Sequence, residues 1–467
     1  MEARYAIRKR QLLDECQVSP EIFEPVMPRL SSFMKPFVTI FQGQGGDQHA
    51  KTSVCGLLSN LERKNVESIA YWFDHSRLPL QAFIGWEEWD DEPLRLTLRH
   101  QVQTHLGQGD GVLVFDPSGF PKSGRQSVGV ARQWCGRLGK VDNCQVARYL
   151  GYVSSKGHTL VDQRLFLPKE WTKDKARLDK AGVPTTSRAY RTRHQLALEM
   201  LAKNGAGLPH GWISGDDEMG RPYGFRRRLA TLGERYLLAV PSNTAMRDLE
   251  TEPPEYRGQG RRPRSPWQSV EAWSQSLGEE AWHRIDVRDG SKGPLVVEAV
   301  KRRMMSRTHR RQPGDEEMVV GIRYRDRDQQ EVVKGDYYLS NATPETPVWE
   351  FARVAKAEHR IEECIQRSKS EAGLADYEVR NWAGWQHHQT LSLLATWFLV
   401  RETERGKKWT PAMTLPQIRQ GIAMLLHEAF QCGTTPHMLK ERQKRLQRNE
   451  LARFYHWQQR NRLPPLN

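Results

Sequence analysis

Apolar positions recur at spacings of three and four from Pro20 to about His105, as in Val54–Leu61 and the following Glu62–Trp72, and that period predicts amphipathic helices. The texture changes between Gly111 and Pro241. Short apolar runs bounded by turn residues predict strands at 111–116, about 144–154, 159–167, 211–215 and 236–240, with a helix beginning near Arg193 between the third and fourth. Three strands in succession, then strands alternating with helices, fit a mixed α/β sheet.

From about 245 to 340 the pattern is interrupted by Pro253-Pro254 and by the basic runs Arg257–Arg264 and Lys301–Arg311. Alternation in Val319–Arg325 and Asp336–Leu339 makes this insertion more β than α. A long helix then carries Glu362, and Thr390–Val400 is apolar enough to be buried on all sides. The expected division is a helical domain at 1–105, an α/β core in two pieces at 106–244 and 341–405, the insertion at 245–340, and a basic tail at 406–467.

Composition narrows the partner. The 467 residues carry a net charge of +15, which points to a polyanion, because cationic side chains that neutralise phosphates release condensed counterions. A membrane surface is the competing reading, but there is no apolar run long enough to span a bilayer and the start Met1–Ala6 lacks the apolar core of a signal peptide, so a cytoplasmic protein is expected. The six cysteines form no C-x-x-C pair, which argues against a zinc site and a disulfide framework. No G-x-x-x-x-G-K-S/T loop is present, and ATP is not implied.

Three acids stand out against this basic background: Asp116 after Val112–Phe115, Asp216 after Gly211–Gly215, and Glu362 within Arg360–Lys369. Asp116 and Asp216 are expected at the ends of core strands, with Glu362 facing them from a helix and Asp217 as the alternate to Asp216. Carboxylates in that arrangement suit two hard cations such as Mg²⁺ or Mn²⁺, which prefer oxygen ligands and support phosphodiester chemistry. A single Asp after a strand is more often a turn former or helix cap. His387 and His388 point about 100° apart on a helix, which favours packing or a DNA contact over a shared metal.

The stretch from Arg360 to His388, with Phe115–Gln133, Gly139–Gln145, Val240–Asn243 and Leu57–Asn65, resembles the transposases of bacterial insertion sequences in the acidic-triad, or DDE, superfamily. Within it the chain is most similar to the branch numbered seven-hundred-and-one, a relative of the group numbered four. The resemblance implies a ribonuclease H-like catalytic core, two divalent metals on Asp116, Asp216 and Glu362, and DNA strand transfer by attack of a hydroxyl on phosphorus. It also implies a lysine seven residues after the glutamate, which Lys369 supplies. The tyrosine and arginine usual upstream of the glutamate would fall at Ala355 and Glu358, and neither matches.

The function expected is therefore a DNA transposase that binds its element's ends, cuts them and joins them to target DNA, acting as at least a dimer. Expected DNA contacts are Lys369, Arg63 and Lys64, and Arg302, Arg303, Arg310 and Arg311 of the insertion, where Trp267, Trp273 or Trp282 could stack on a base. Two alternatives stay open: a domesticated DNA-binding protein that no longer cuts, and a ribonuclease H-like nuclease without strand transfer.

Overall fold

A computed structural model describes residues 22–430 apart from 24, 42–44, 257, 259, 261–262, 291–292, 309, 327–330 and 409–412. The basic tail expected beyond residue 430, including the lysines and arginines between 440 and 462, lies outside the described residues.

Among the described residues five α-helices precede the first strand: α1 (Val26–Val38), α2 (Gly46–Leu58), α3 (Val66–Trp72), α4 (Arg77–Gly85) and α5 (Glu92–Leu106). Two of them start on side-chain caps: the Asn65 carboxamide accepts the Ser68 N–H at 2.8 Å before α3 and the Ser76 hydroxyl accepts from Leu78 before α4. Their apolar faces merge into one core with later helices. Phe33 lies 5.2 Å from Phe398, and Arg29 donates to Glu402 at 2.6 Å.

Among the described residues twelve strands form a single mixed sheet. They are β1 (Val112–Pro121), β2 (Ala131–Cys135), β3 (Lys140–Val153), β4 (His158–Leu165), β5 (Trp212–Gly215), β6 (Tyr236–Val240), β7 (Ala245–Asp248), β8 (Gln268–Ser269), β9 (His283–Gly290), β10 (Gly293–Arg307), β11 (Pro313–Arg325) and β12 (Val332–Ser340). Their order is β2-β3-β1-β5-β6-β12-β11-β10-β7-β8, with β4 on β3 and β9 on β10. β1 runs antiparallel to β3 and parallel to β5, and β5 is parallel to β6. β12 pairs antiparallel with β6, so the strands between 245 and 340 continue the same sheet.

Between the strands lie α6 (Lys169–Thr172), α7 (Lys175–Lys180), α8 (Arg193–Asn204), α9 (Asp217–Gly220), α10 (Tyr223–Thr231) and α11 (Val270–Ser276). The chain then forms α12 (Val348–Glu371), α13 (Trp382–Lys407) and α14 (Leu415–Phe430). α13 is the helix expected around Thr390–Val400, and every side chain of that segment is buried. α12 lies close against the sheet because Gly151 of β3 has no side chain; a methyl there would clash with Ile361. Such close approach is a use of glycine that fixes a helix at short range.

The first strand departs from expectation. Asp116 does not end it: β1 runs on to Pro121, because β3 supplies a partner along its whole length, from Val112↔Val153 to Pro121↔Cys144. The Pro-Ser-Gly segment after Asp116, which composition suggests is a turn, is held extended by that pairing. The hairpin strand β2 was not among the strands expected.

Candidate active site

Phe115 and Gly215 are register partners on parallel β1 and β5, so Asp116 and Asp216 follow at the same level on strands about 4.8 Å apart. Burial, then the nearby Asp216 carboxylate, push the Asp116 carboxyl up to about 8; Arg148 opposes the shift, Glu362 adds to it, and Lys369 opposes it. Asp216 is pushed up to about 6, again by burial first, with Arg148 opposing and Glu218 adding.

Asp216 has a second task. Its carboxylate caps α9 by accepting the Met219 N–H at 3.2 Å, which fixes the side chain at the strand end. Asp217 turns outward, half exposed, and pairs with Arg221 at 3.2 Å. Glu218 faces inward to Arg148 at 3.0 Å and Arg193 at 3.1 Å. Burial raises the Glu218 carboxyl, but these two guanidiniums outweigh it and hold it below its ordinary range. Arg148 is 1% exposed, and its Nε and Nη1 have no hydrogen-bond partner. Sequence reading passed over this arginine; its only signal was a charge inside an apolar strand.

α12 brings up the third acid. The Glu362 side chain is 73% exposed and lies 3.5 Å from His359, yet it acts on Asp116 and on Glu358. Glu358, one helical turn earlier, is held well above its ordinary value by burial, then by Asp216 and Asp116. It is a further acid facing the pair, standing where the family pattern has arginine, and its spacing of four from Glu362 was the available signal. Lys369, two turns after Glu362, is half-buried; its Nζ donates to the Gly119 carbonyl at 3.4 Å and lies 5.0 Å over the Phe120 ring. Burial, then Arg137, lower the Lys369 ammonium to about 8, with Asp116 opposing.

No three of the described His, Cys, Asp and Glu side chains converge tightly enough to enclose an ion. The donor set nevertheless fits hard cations. It is all oxygen, two of its members follow register partners on adjacent parallel strands, and the charges of Asp216 and Glu362 both raise the Asp116 carboxyl, a repulsion that a cation relieves. His387 and His388 play no part: both are buried, bonding the carbonyls of Ile84, Trp89 and Gly373.

The expected DNA contacts divide. Lys64 is corrected: it is 3% exposed, its Nζ donates to the Glu371 carbonyl at 2.5 Å, and burial lowers its ammonium to about 8, so it holds α12 rather than facing solvent. Arg63 beside it is exposed. Arg302 and Arg303 pair with Glu250 at 3.6 Å and Glu316 at 2.6 Å. Arg310 and Arg311 are exposed at the β10–β11 turn. That turn is anchored beside α9 and α10 by buried Arg226, which donates to Gly220, Ser306 and Glu317. The insertion's tryptophans are committed to packing. Trp273 is buried and donates to Asp248, Trp267 sits between the guanidiniums of Arg247 and Arg307, and Trp282 is covered by Arg323.

Among the described residues no helix is long and apolar enough to cross a membrane. The chain is 25% identical over 284 residues, 60% of its length and 69% of the relative's, to a probable transposase for insertion sequence element IS701 from Microchaete diplosiphon. A solved piggyBac transposase synaptic complex with hairpin DNA aligns with 91% of this chain and 77% of its own at 12% identity, with a TM-score of 0.41, too slight a likeness to carry functional weight. The family model described as DDE superfamily endonuclease matches residues 37–294, a span that holds Asp116 and Asp216 and ends before Glu362. With more than half its length matched and two of its expected acids inside the match, the chain belongs to the DDE superfamily of endonucleases.

Proposed function

We propose that this protein is a DNA transposase that binds the terminal repeats of an insertion sequence, cleaves DNA there by two-metal phosphoryl transfer, and joins the 3′ ends to target DNA. The observation that carries the reading is the pairing of Phe115 with Gly215, which aligns two mutually repelling carboxylates on adjacent parallel strands beneath the glutamates of α12. The strand order β4-β3-β1-β5-β6, with β1 antiparallel to β3 and parallel to β5, supports a ribonuclease H-like core. Family membership supports DNA as the partner.

Asp116, Asp216 and Glu362 would hold two Mg²⁺ or Mn²⁺ ions. When bound, such ions supply Lewis-acid activation of the attacking oxygen and stabilisation of the leaving oxygen. The chain's own groups do the positioning. The Met219 N–H fixes the Asp216 carboxylate, Arg148 limits the repulsion between the two aspartates, and Lys369 stands ready to hold a phosphate beside Asp116. Exposed Arg63, Arg310 and Arg311 would contact the backbone of bound DNA, with Arg302 and Arg303 exchanging their carboxylates for phosphates. Synapsis of two ends calls for at least a dimer, acting at the nucleoid without ATP. The functional units proposed are helical end recognition at 1–105, a core at 106–244 and 341–405, a DNA-gripping insertion at 245–340, and a basic tail at 406–467.

The test is strand cleavage of a duplex carrying the flanking inverted repeats of the coding region. Mg²⁺-dependent nicking at the repeat boundary, followed by joining to a plasmid, is the expected result. Asp116→Ala, Asp216→Ala and Glu362→Ala should each abolish it while leaving end binding intact. Full cleavage by any of the three variants removes that residue from the site, and binding without any cleavage by the parent chain favours a domesticated DNA-binding protein.

A further inference from the structure

The hairpin formed by β2 and β3 presents an apolar surface that the described residues leave exposed. Trp134 is 56% exposed, its register partner Val141 is 52% exposed, and Leu138 in the turn is 41% exposed. The opposite face of the hairpin is packed, with Cys135 and Cys144 both fully buried. Alternation therefore accounts for the outward aim of Trp134 but not for its identity, since an outward position on a solvated hairpin is ordinarily polar. Arg132 lies on the same outward face and Arg137 is exposed at the turn, while exposed Lys140 pairs with Asp142 at 3.1 Å, so the apolar surface is rimmed by three cationic side chains and one carboxylate.

The hairpin is also fixed against the candidate active site. The Cys135 sulfur packs on Gly119, three residues along β1 from Asp116, where a side chain would collide with it. Three residues of strand span about 10 Å, roughly the distance of a few stacked bases. The same Gly119 carbonyl accepts the Lys369 ammonium, and Arg137 is among the charges acting on Lys369. The other large exposed indoles among the described residues are Trp86, between α4 and α5, and Trp349, in the first turn of α12, about three and a half turns before Glu362.

We infer that the β2–β3 hairpin is a DNA-stacking element, in which Trp134 takes the face of an unpaired base beside the scissile phosphate while Arg132, Arg137 and Lys140 hold the backbone. The inference rests on the reading of the acids as a DNA-cleaving centre and adds to it the state of the substrate: a strand end with at least one base out of the duplex. An indole with one open face stacks on any base, so the element would select unpaired structure rather than sequence. Positive charge on the rim suits the phosphates on either side.

The experiment uses the full chain and two mixed-sequence DNA probes, a blunt duplex and the same duplex with a short single-stranded 3′ tail carrying 2-aminopurine next to the junction. The wild-type chain should prefer the tailed probe and quench the 2-aminopurine. Trp134→Ala should lose about tenfold in affinity for the tailed probe and lose the quench, with blunt-duplex affinity and its salt dependence unchanged, because stacking is not an ionic term. Trp134→Phe should restore most of both signals. Combined Arg132→Glu and Arg137→Glu should instead flatten the salt dependence on both probes. If Trp134→Ala keeps the quench and the preference while the chain binds DNA, the stacking role is overturned and the cleavage reading stands. If the wild-type chain binds neither probe, both readings fall together.

Discussion

Arg148 reaches the Glu218 carboxylate at 3.0 Å from a position that is 1% exposed, and its charge lowers the carboxyls of both Asp116 and Asp216. An arginine strand residue thus sets the electrostatic floor of the candidate active site. Glu218 is 29% exposed and keeps its bond to Arg193 when Arg148 is removed, so Arg148→Ala should cost roughly 2 kcal/mol of unfolding free energy in urea titration, the worth of a hydrogen bond between charged groups. Arg148→Met combined with Glu218→Gln should recover part of that loss; a loss unchanged in the double variant would show that packing, not charge, is what Arg148 supplies.

The acids themselves make stability depend on pH. In the folded chain Asp116 keeps its proton to about 8, against an ordinary 3.8. The unfolded chain releases it at the ordinary value, so rising pH between about 4 and 8 favours the unfolded chain, and the penalty is complete above about 8. Asp116→Asn removes the penalty. It should raise the Tm of the metal-free protein more at about pH 8 than at about pH 5, a comparison scanning calorimetry can make.

Glu358 and Glu362 should separate in the same assay. Glu358 is held well above its ordinary value by burial and by the two aspartates, whereas Glu362 is mostly exposed. Glu358→Gln should therefore stabilise the metal-free chain near neutral pH and Glu362→Gln should leave it nearly unchanged. Equal shifts in the two variants would show that the helix presents both carboxylates alike. Added Mg²⁺ should raise the Tm of the wild-type chain and have no effect on Asp116→Asn.

The link between the insertion and the core is a buried cluster. Arg226 donates to Glu317 at 2.7 and 3.0 Å, and the Tyr236 hydroxyl donates to the same carboxylate at 2.6 Å. Arg226 and Glu317 are each 3% exposed. Glu317→Ala should destabilise the protein by about 3 to 5 kcal/mol and loosen the β10–β11 turn, read as faster amide exchange around Ser306.

Lys64 and Arg63 give a clean contrast on one helix approach. Lys64→Met should lower the Tm, since the ammonium and backbone of Lys64 fasten it to Glu371 and Asp376, yet leave the salt dependence of DNA binding unchanged. Arg63→Glu should do the reverse. A salt slope that moves with Lys64→Met would return that side chain to the DNA surface.

The sequence alone carried whatever depends on local order. Helical period in residues 54–72, the apolar run 390–400 and the short runs before Asp116 and Asp216 are properties of neighbouring side chains, and the structure has helices or strands at each. The acids were legible because carboxylates after apolar runs conflict with the basic surroundings, and because Glu362 and Lys369 share a helix face at a spacing of seven. What the sequence could not supply was pairing between distant segments. Only β3 shows that Pro117–Pro121 is strand, only β12 on β6 shows that the strands of 245–340 extend the core sheet, and only α12 lying on Gly151 turns Glu358 toward Asp116 and Asp216. Lys64 and Arg63 are adjacent cations of equal standing in the sequence, and the packing of α12 buries one and leaves the other in water. Burial and long-range charge are sums over neighbours the chain acquires only on folding, so they decide side-chain roles that local pattern leaves equal.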